Sequence, residues 1–168
     1  MELTALPSVI HEITVDATPT QAFEIFAEHL GDWWPIAYTF NGPRFDTAVI
    51  EARVGGRWFE RSLDGEDVSW GSVREYRAGE RLVLEFGIGP DRRPAPPGQS
   101  SEVEIRFVRD RSGARVVVEH RDFARHGSAG QKVRDGMDSD QGWRLILAEL
   151  RRGIRHLVAR PSRSSGCA

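Results

Sequence analysis

The segment DSDQGWRLILAELRRGIRHLVAR, residues 138–160, carries the strongest structural signal in the sequence. Its apolar positions recur at intervals of four and three, which places them on one face of an α-helix; they are Trp143, Leu147, Leu150, Ile154 and Leu157. A helix of this length spans about 30 Å, so we predict that its apolar face is buried across a whole small domain. Gly136 and Gly142 leave two possible starts for it, near Ala129 or near Asp138.

The chain before this helix is dominated by short segments in which apolar and polar residues alternate, as in β-strands. Gly–Gly, Asp–Gly and similar turn sequences separate them, which implies hairpins and therefore an antiparallel sheet. The predicted strands are Val9–Val15, Ala48–Val54, Arg57–Leu63, Val68–Tyr76, Arg81–Ile88, Glu102–Arg109 and Ala114–Arg121. A helix laid across such a sheet gives an α+β fold with space for a ligand beside the helix.

Two short helices are predicted between the first two strands. Thr18 is placed to cap the first one, with Pro19 at its first position and Gln21 completing a capping box. Gly31 is expected to end this helix. A second short helix or turn is expected to hold Asp32–Pro35.

Size and composition narrow the functional classes. The 168 residues, 39% hydrophobic and 29% charged, predict one globular domain, placed at 8–160 with a disordered polar tail at 161–168. No apolar run reaches membrane-spanning length and no secretory signal pattern is present, so we expect a cytoplasmic protein without a membrane partner. A net charge of -2 argues against a nucleic-acid partner. The single cysteine, Cys167, excludes a disulfide within the chain.

Four short motifs have a mechanical explanation of their own. Gly55-Gly56-Arg57-Trp58 allows the positive φ angles of a tight hairpin, and Trp70-Gly71 predicts a bulge or a close approach by another element. Gly142-Trp143 is expected to let the long helix approach the sheet, with the indole N–H in need of a partner. In Trp33-Trp34-Pro35, Trp33 is expected to fill the core, whereas Trp34 and the nearby Tyr38 are candidates for a cavity rim.

These motifs stand within longer segments that resemble a known superfamily; the segments are TPTQAFEIFAEHLGDWWP, IEARVGGRWFER, DGEDVSWGSV, RLVLEF, VEIRFV, VEHRDFARHG and GWRLILAEL. They resemble the SRPBCC superfamily, which includes START, polyketide cyclase and pollen-allergen-like domains, over residues 8–158. Within it they resemble the branch named for the activator of the ninety-kilodalton heat-shock chaperone ATPase. The resemblance implies a helix-grip fold: a seven-stranded curved antiparallel sheet wrapped around a long C-terminal helix, with two short helices between strands 1 and 2.

The resemblance leaves the function open. Members of the superfamily bind sterols, lipids, plant hormones or polyketides, some are cyclases or dehydratases, and the chaperone activators work through their surface. A fold hosts many functions, so the choice depends on the residues of the site.

His120 and Glu60 are the candidate catalytic or ligand-orienting residues. Strict alternation from Ala114 places His120 on the inner face of its strand, either as a hydrogen-bonded core residue or as a ligand contact or acid–base group. Glu60 lies two residues from Trp58 and so shares its face, and a buried carboxylate there needs His120 or an arginine as partner. Arg125-His126-Gly127 is interpreted as a solvated connector. The five histidines show no metal-ligand spacing, so no metal is predicted.

The loop at 89–101, GPDRRPAPPGQSS, contains four prolines and is neither strand nor helix. It is either a solvated hairpin tip or a flap over the mouth of a cavity.

We predict a cavity between the sheet and the last helix that accepts a small hydrophobic or amphipathic ligand without a cofactor. Its predicted contacts are Trp34, Trp58, Glu60, Trp70, Leu84, Phe86, Phe107, Val118, His120, Trp143 and Leu147, with Val103, Ile105 and Leu150 also in the wall. A cyclase or dehydratase using the same cavity is the first alternative. A chaperone-binding module is the second, which the expected lack of a further N-terminal domain disfavours. The chain is compatible with a monomer or a homodimer.

Overall fold

The computed structural model describes residues 5–89, 93–96 and 98–159. The polar tail at 161–168 lies outside these residues, as do four positions of the proline-rich loop. Within the described ranges, every helix is too short or too polar to span a bilayer.

Seven antiparallel strands form one curved sheet in the order β1-β7-β6-β5-β4-β3-β2. They are β1 Val9–Val15, β2 Phe45–Ile50, β3 Arg57–Ser62, β4 Asp67–Arg77, β5 Arg81–Phe86, β6 Ser101–Asp110 and β7 Gly113–Arg121. Strands β2 to β7 form a meander, and β1 joins its far edge by pairing with β7. The predicted sheet is confirmed. Strand β2 ends at Ile50 rather than Val54 because the next residues form a turn, in which the N–H of Gly56 donates to the carbonyl of Arg53.

Two short helices separate β1 from β2: α1 Pro19–Glu28 and α2 Leu30–Trp33. The capping box is confirmed, because the Gln21 N–H donates to Thr18 Oγ1 at 3.1 Å and the Thr18 N–H to Gln21 Oε1 at 3.0 Å. The prediction that Gly31 ends α1 is wrong, since α1 stops at Glu28 and Gly31 lies inside α2. A Cβ at Gly31 would lie 2.6 Å from Thr47 Oγ1, so the glycine allows α2 to rest directly on β2.

The C-terminal region contains two helices, α3 Gly130–Asp138 and α4 Trp143–Ala159. The long helix therefore begins at Trp143, later than either predicted start. Residues 139–142 form a tight turn in which the Gly142 N–H donates to the Ser139 carbonyl at 3.0 Å. A Cβ at Gly142 would overlap the Met137 carbonyl. This glycine thus lets the start of α4 pack against the end of α3. The expectation that it allows the helix to approach the sheet is wrong.

The core lies between α4 and the concave face of the sheet. The inward side chains of α4 are buried, and they are Trp143, Ile146, Leu147, Leu150 and Ile154. Alternate residues of β5, β6 and β7 face them, among them Leu84, Ile105 and Val118. The predicted apolar face of the last helix is therefore buried along nearly its whole length.

Gly71 brings two tryptophans together on the inner face. Its φ is +147°, a Cβ there would overlap the Glu85 carbonyl, and the β3–β4 register shifts between Trp58 and Phe59. The predicted bulge and close approach are both confirmed. The shift leaves Trp58 and Trp70 with their ring centroids 5.4 Å apart.

Candidate functional site

A cavity of about 480 Å³ opens at one end of the sheet, beneath α3. Its wall combines residues from three regions: the segment after α2, the end of β5 with the residues that follow, and the α3–α4 region. The lining residues are Trp34, Tyr38, Thr39, Phe40, Phe86, Ile88, Gly89, Lys132, Val133, Gly136, Met137, Ser139, Gln141 and Ile146. The wall is mainly apolar, with its polar groups near the rim.

The rim is held together by a contact between distant parts of the chain. The Tyr38 hydroxyl donates to the Gln141 carbonyl at 2.6 Å, which ties the segment after α2 to the α3–α4 turn. Lys132 is an exposed residue of α3 that also lines the cavity, and among the described residues it has no acidic partner. The rim therefore offers a cation and several hydrogen-bonding groups to a molecule inside.

Glu60 is fully buried and supports the segment that forms one cavity wall. Its oxygens accept hydrogen bonds from the backbone N–H groups of Phe40 at 2.7 Å and Asn41 at 3.0 Å. They also accept from Asn41 Nδ2 and Trp70 Nε1, both at 2.8 Å. Four N–H donors satisfy both oxygens, so this side chain positions the Phe40–Asn41 backbone.

Strand β3 directs successive side chains to opposite faces of the sheet. Trp58 and Glu60 point inward, as expected, and both are fully buried. Phe59 points outward but is covered by guanidinium groups, with Arg57 4.1 Å and Arg61 5.5 Å from its ring centre. An apolar residue on the outer face is thus shielded by cation–π contacts.

His120 belongs to a buried hydrogen-bonded chain that runs from α4 to the segment before α3. Trp143 Nε1 donates to His120 Nδ1 at 3.1 Å, so the imidazole proton of His120 must be on Nε2, because an indole N–H can only donate. His120 Nε2 then donates to Ser101 Oγ at 2.7 Å, and Ser101 Oγ donates to His126 Nε2 at 2.8 Å. His126 Nε2 also accepts from the Ser101 backbone N–H at 3.2 Å.

His120 and His126, the two histidines of this hydrogen-bonded chain, are held in the neutral form. Burial lowers the pKa of His120 well below its ordinary value, and the nearby His126 lowers it further. Burial also lowers the pKa of His126. The geometry has the same consequence, because a second proton on either imidazole would face a donor that already points at it.

The interpretation of Arg125-His126-Gly127 as a solvated connector is wrong for its central residue. The 3₁₀ helix Phe123–Ala129 turns the His126 ring inward, where 5% of its surface is exposed. Asp122, with φ at +63°, caps the start of that segment, and Gly127, with φ at +69°, interrupts its helical geometry directly after His126. Nothing in the local sequence pattern indicated the inward turn, since a lone histidine among polar residues gives no periodic signal.

The structure separates the predicted site residues into two groups. Trp34 and Phe86 line the cavity. The others are buried in the core behind it: Trp58, Glu60, Trp70, Leu84, Phe107, Val118, His120, Trp143 and Leu147, together with Val103, Ile105 and Leu150. Glu60 and His120 do not form the pair that the sequence suggested. Glu60 binds Phe40, Asn41 and Trp70, and His120 binds Ser101 and Trp143.

Sequence reasoning missed the α3 part of the wall. Lys132, Val133 and Gly136 lie on a nine-residue helix whose buried residues are Gly130 and Val133. Two buried positions leave too weak an apolar pattern to reveal a packed face. Across the residues that the structure describes, no cluster of three potential metal ligands occurs.

A curved antiparallel sheet closed by a C-terminal helix, with a cavity at one end, defines a helix-grip domain of the SRPBCC type. Residues 16–154 match the family model "Activator of Hsp90 ATPase homolog 1-like protein", and the chain belongs to that family. The resemblance seen in the sequence is thereby confirmed.

Solved structures agree with this assignment. The self-sacrificing resistance protein CalC from Micromonospora echinospora is 32% identical with a TM-score of 0.64, covering 92% of this chain and 98% of its own. The anthrahydroquino-γ-pyrone synthase Txn09 is 28% identical with a TM-score of 0.62, covering 89% and 97%. A protein of unknown function from Staphylococcus aureus, 14% identical with a TM-score of 0.65 over 95% and 100%, shows the fold alone. No curated protein sequence matches significantly.

Proposed function

We propose that this protein binds a small amphipathic molecule with an aromatic body in the cavity beneath α3. The observation that carries the proposal is the cavity itself: about 480 Å³, walled by Trp34, Phe40 and Phe86, with the Lys132 cation at its rim. Pockets for small ligands typically measure about 300–1,000 Å³ and combine apolar walls with a few polar groups.

The chemistry of the wall favours a flat ring system with an acidic group. Aromatic side chains pack well against the faces and edges of other rings, and the wall offers four of them: Trp34, Tyr38, Phe40 and Phe86. Lys132 supplies a positive charge at the mouth, where a carboxylate or phenolate of the ligand meets it while remaining hydrated.

The neighbours with higher identity support a small-molecule function of this kind. One of them is a synthase whose name describes an aromatic pyrone product, and another is a resistance protein. A role at the surface receives less support, since the exposed large apolar side chains in the described part of the chain lie on separate elements; they are Ile10, Ile36, Val54, Leu63, Val108 and Val158.

Binding is favoured over catalysis by the state of the candidate acid–base residues. Glu60 and His120 are both completely buried, and their polar atoms are occupied by protein partners. A general acid or base must come within hydrogen-bond reach of the proton that it transfers. Neither residue lines the cavity. In this arrangement their role is to hold the residues around the cavity in position.

The test is a binding measurement with a variant that fills the cavity. Gly136 lines the cavity, and a Cβ there would meet nothing within 4 Å, so Gly136→Phe is expected to occupy the space without disturbing the backbone. Isothermal titration with polycyclic aromatic carboxylates should show binding to the native protein and at least a tenfold loss in this variant.

The matched control is Gln131→Phe, an exposed position on the same helix that does not line the cavity. It should bind like the native protein. Failure of the native protein to bind any member of the series, or equal affinity in both variants, would overturn the proposal.

A further inference from the structure

One of the five indole groups in the protein has no hydrogen-bond partner in the described part of the chain. Trp58 is 1% exposed, and its Nε1 is buried without an acceptor. The other four indoles each have an acceptor. Trp33 donates to the Ile25 carbonyl at 3.1 Å, Trp70 to Glu60 at 2.8 Å and Trp143 to His120 at 3.1 Å, and Trp34 makes a longer contact of 3.4 Å with the Tyr38 carbonyl. The contrast marks Trp58 as an exception within the same molecule.

A buried donor without an acceptor is costly, because the N–H group has lost its water without gaining a replacement. An indole N–H can only donate, so nothing but an acceptor atom relieves this cost. Unsatisfied groups of this kind in a native fold call for a specific explanation. A bound ligand is one that fits the position of Trp58.

Trp58 stands one ring behind the cavity wall. Its ring centroid lies 6.4 Å from that of Trp34 and 6.2 Å from that of Phe86, and both of these residues line the cavity. A flat ring system in the cavity is thus separated from the Trp58 ring by a single layer of side chains.

We infer that the ligand carries an acceptor oxygen, as in an aromatic ketone or quinone, which inserts between Trp34 and Phe86 and accepts a hydrogen bond from Trp58 Nε1. This inference rests on the proposed function and refines it. Lys132 meets the acidic group at the mouth, and Trp58 recognises a carbonyl at the inner end. The two contacts give the ligand a direction, and Trp58 becomes the residue that selects a carbonyl over a plain hydrocarbon ring.

The test compares two probes that share a three-ring body and an acid group but differ in their ring oxygens: anthraquinone-2-carboxylate and anthracene-2-carboxylate. An additional hydrogen bond to a buried donor is expected to give the quinone about tenfold higher affinity for the native protein. Replacing the indole by its sulfur isostere, Trp58→benzothienylalanine, keeps the ring and removes the N–H. This variant should bind both probes with the affinity that the native protein shows for the anthracene acid.

Trp70→benzothienylalanine is the matched control, because the Trp70 N–H is already bound to Glu60. It should lower thermal stability and keep the preference for the quinone. Trp58→Phe provides a second variant that also lacks the N–H. Equal affinity of the native protein for both probes, or a preference that survives both Trp58 substitutions, overturns the inference while leaving the proposed function intact. Absence of binding by either probe and by the whole carboxylate series overturns both.

Discussion

The chain of hydrogen bonds from Trp143 through His120 and Ser101 to His126 predicts that the protein becomes less stable as the pH falls. Both imidazoles are neutral in the folded protein, with a lowered pKa, whereas in the unfolded chain they titrate near the ordinary value of 6.5. Below that pH the unfolded state binds more protons than the folded state. The stability contribution of these groups is therefore complete above about pH 6.5 and is lost progressively as the pH falls.

The size of the effect follows from this linkage. Between pH 6.5 and 5.5, a histidine that stays neutral when folded lowers the free energy of unfolding by about 1 kcal/mol. His120 alone accounts for that amount, and His126 raises the total to at most about 2 kcal/mol. The carboxylates of Glu85 and Glu104 do not obscure this slope, because their pKa is lowered from 4.5 and their contribution is lost only at more acidic pH.

Urea unfolding followed by far-ultraviolet circular dichroism at half-unit pH steps from 5.5 to 7.5 measures this slope. His126→Gln should remove the smaller part of it, and His120→Gln the larger part. His156→Gln alters an exposed histidine of α4 and should leave the slope unchanged. Two results would refute the neutral state of the two imidazoles. One is a free energy of unfolding of the native protein that does not change across this pH interval. The other is a full pH slope in the His120→Gln and His126→Gln variants.

Three further substitutions test separate parts of the structure by thermal and urea unfolding. Glu60→Gln places an amide NH₂ among four N–H donors and should cost about 3 kcal/mol; near-native stability would contradict the assigned contacts. Gly71→Ala puts a Cβ against the Glu85 carbonyl and should destabilise by more than about 3 kcal/mol, so a mild effect would contradict the close approach. Thr18→Ala removes the cap of α1 and should cost about 1 kcal/mol, whereas Thr18→Ser should be close to native.

Much of the fold was predictable because its signals are local. Alternation located the seven strands, and the spacing of Thr18 and Gln21 identified the start of α1. Gly71 indicated a close approach because an interior glycine in a strand needs a reason. Each of these depends on residues near one another in the chain, so the sequence contains the whole pattern.

The site was less predictable because its contacts join distant segments through atoms that leave no trace in the sequence. The inward facing of Glu60 followed from Trp58, but its partners include the backbone N–H groups of Phe40 and Asn41, which every non-proline residue possesses. Helix α3 was not separated from α4, since its few buried residues give no periodic signal. The cavity lies beneath that helix, and its location was therefore out of reach as well.

The clustering of indole rings has a spectroscopic consequence. All five tryptophans are almost completely shielded from solvent, and Trp34 lies within 6.4 Å, between ring centroids, of Trp33, Trp58 and Trp70. Excitation absorbed by any of these four rings can migrate to its neighbours before emission. Trp34 forms part of the cavity wall. A bound aromatic ligand that absorbs at the emission wavelength of tryptophan would therefore accept excitation energy from all four rings. It would quench the intrinsic fluorescence of the protein far more than contact with a single indole would.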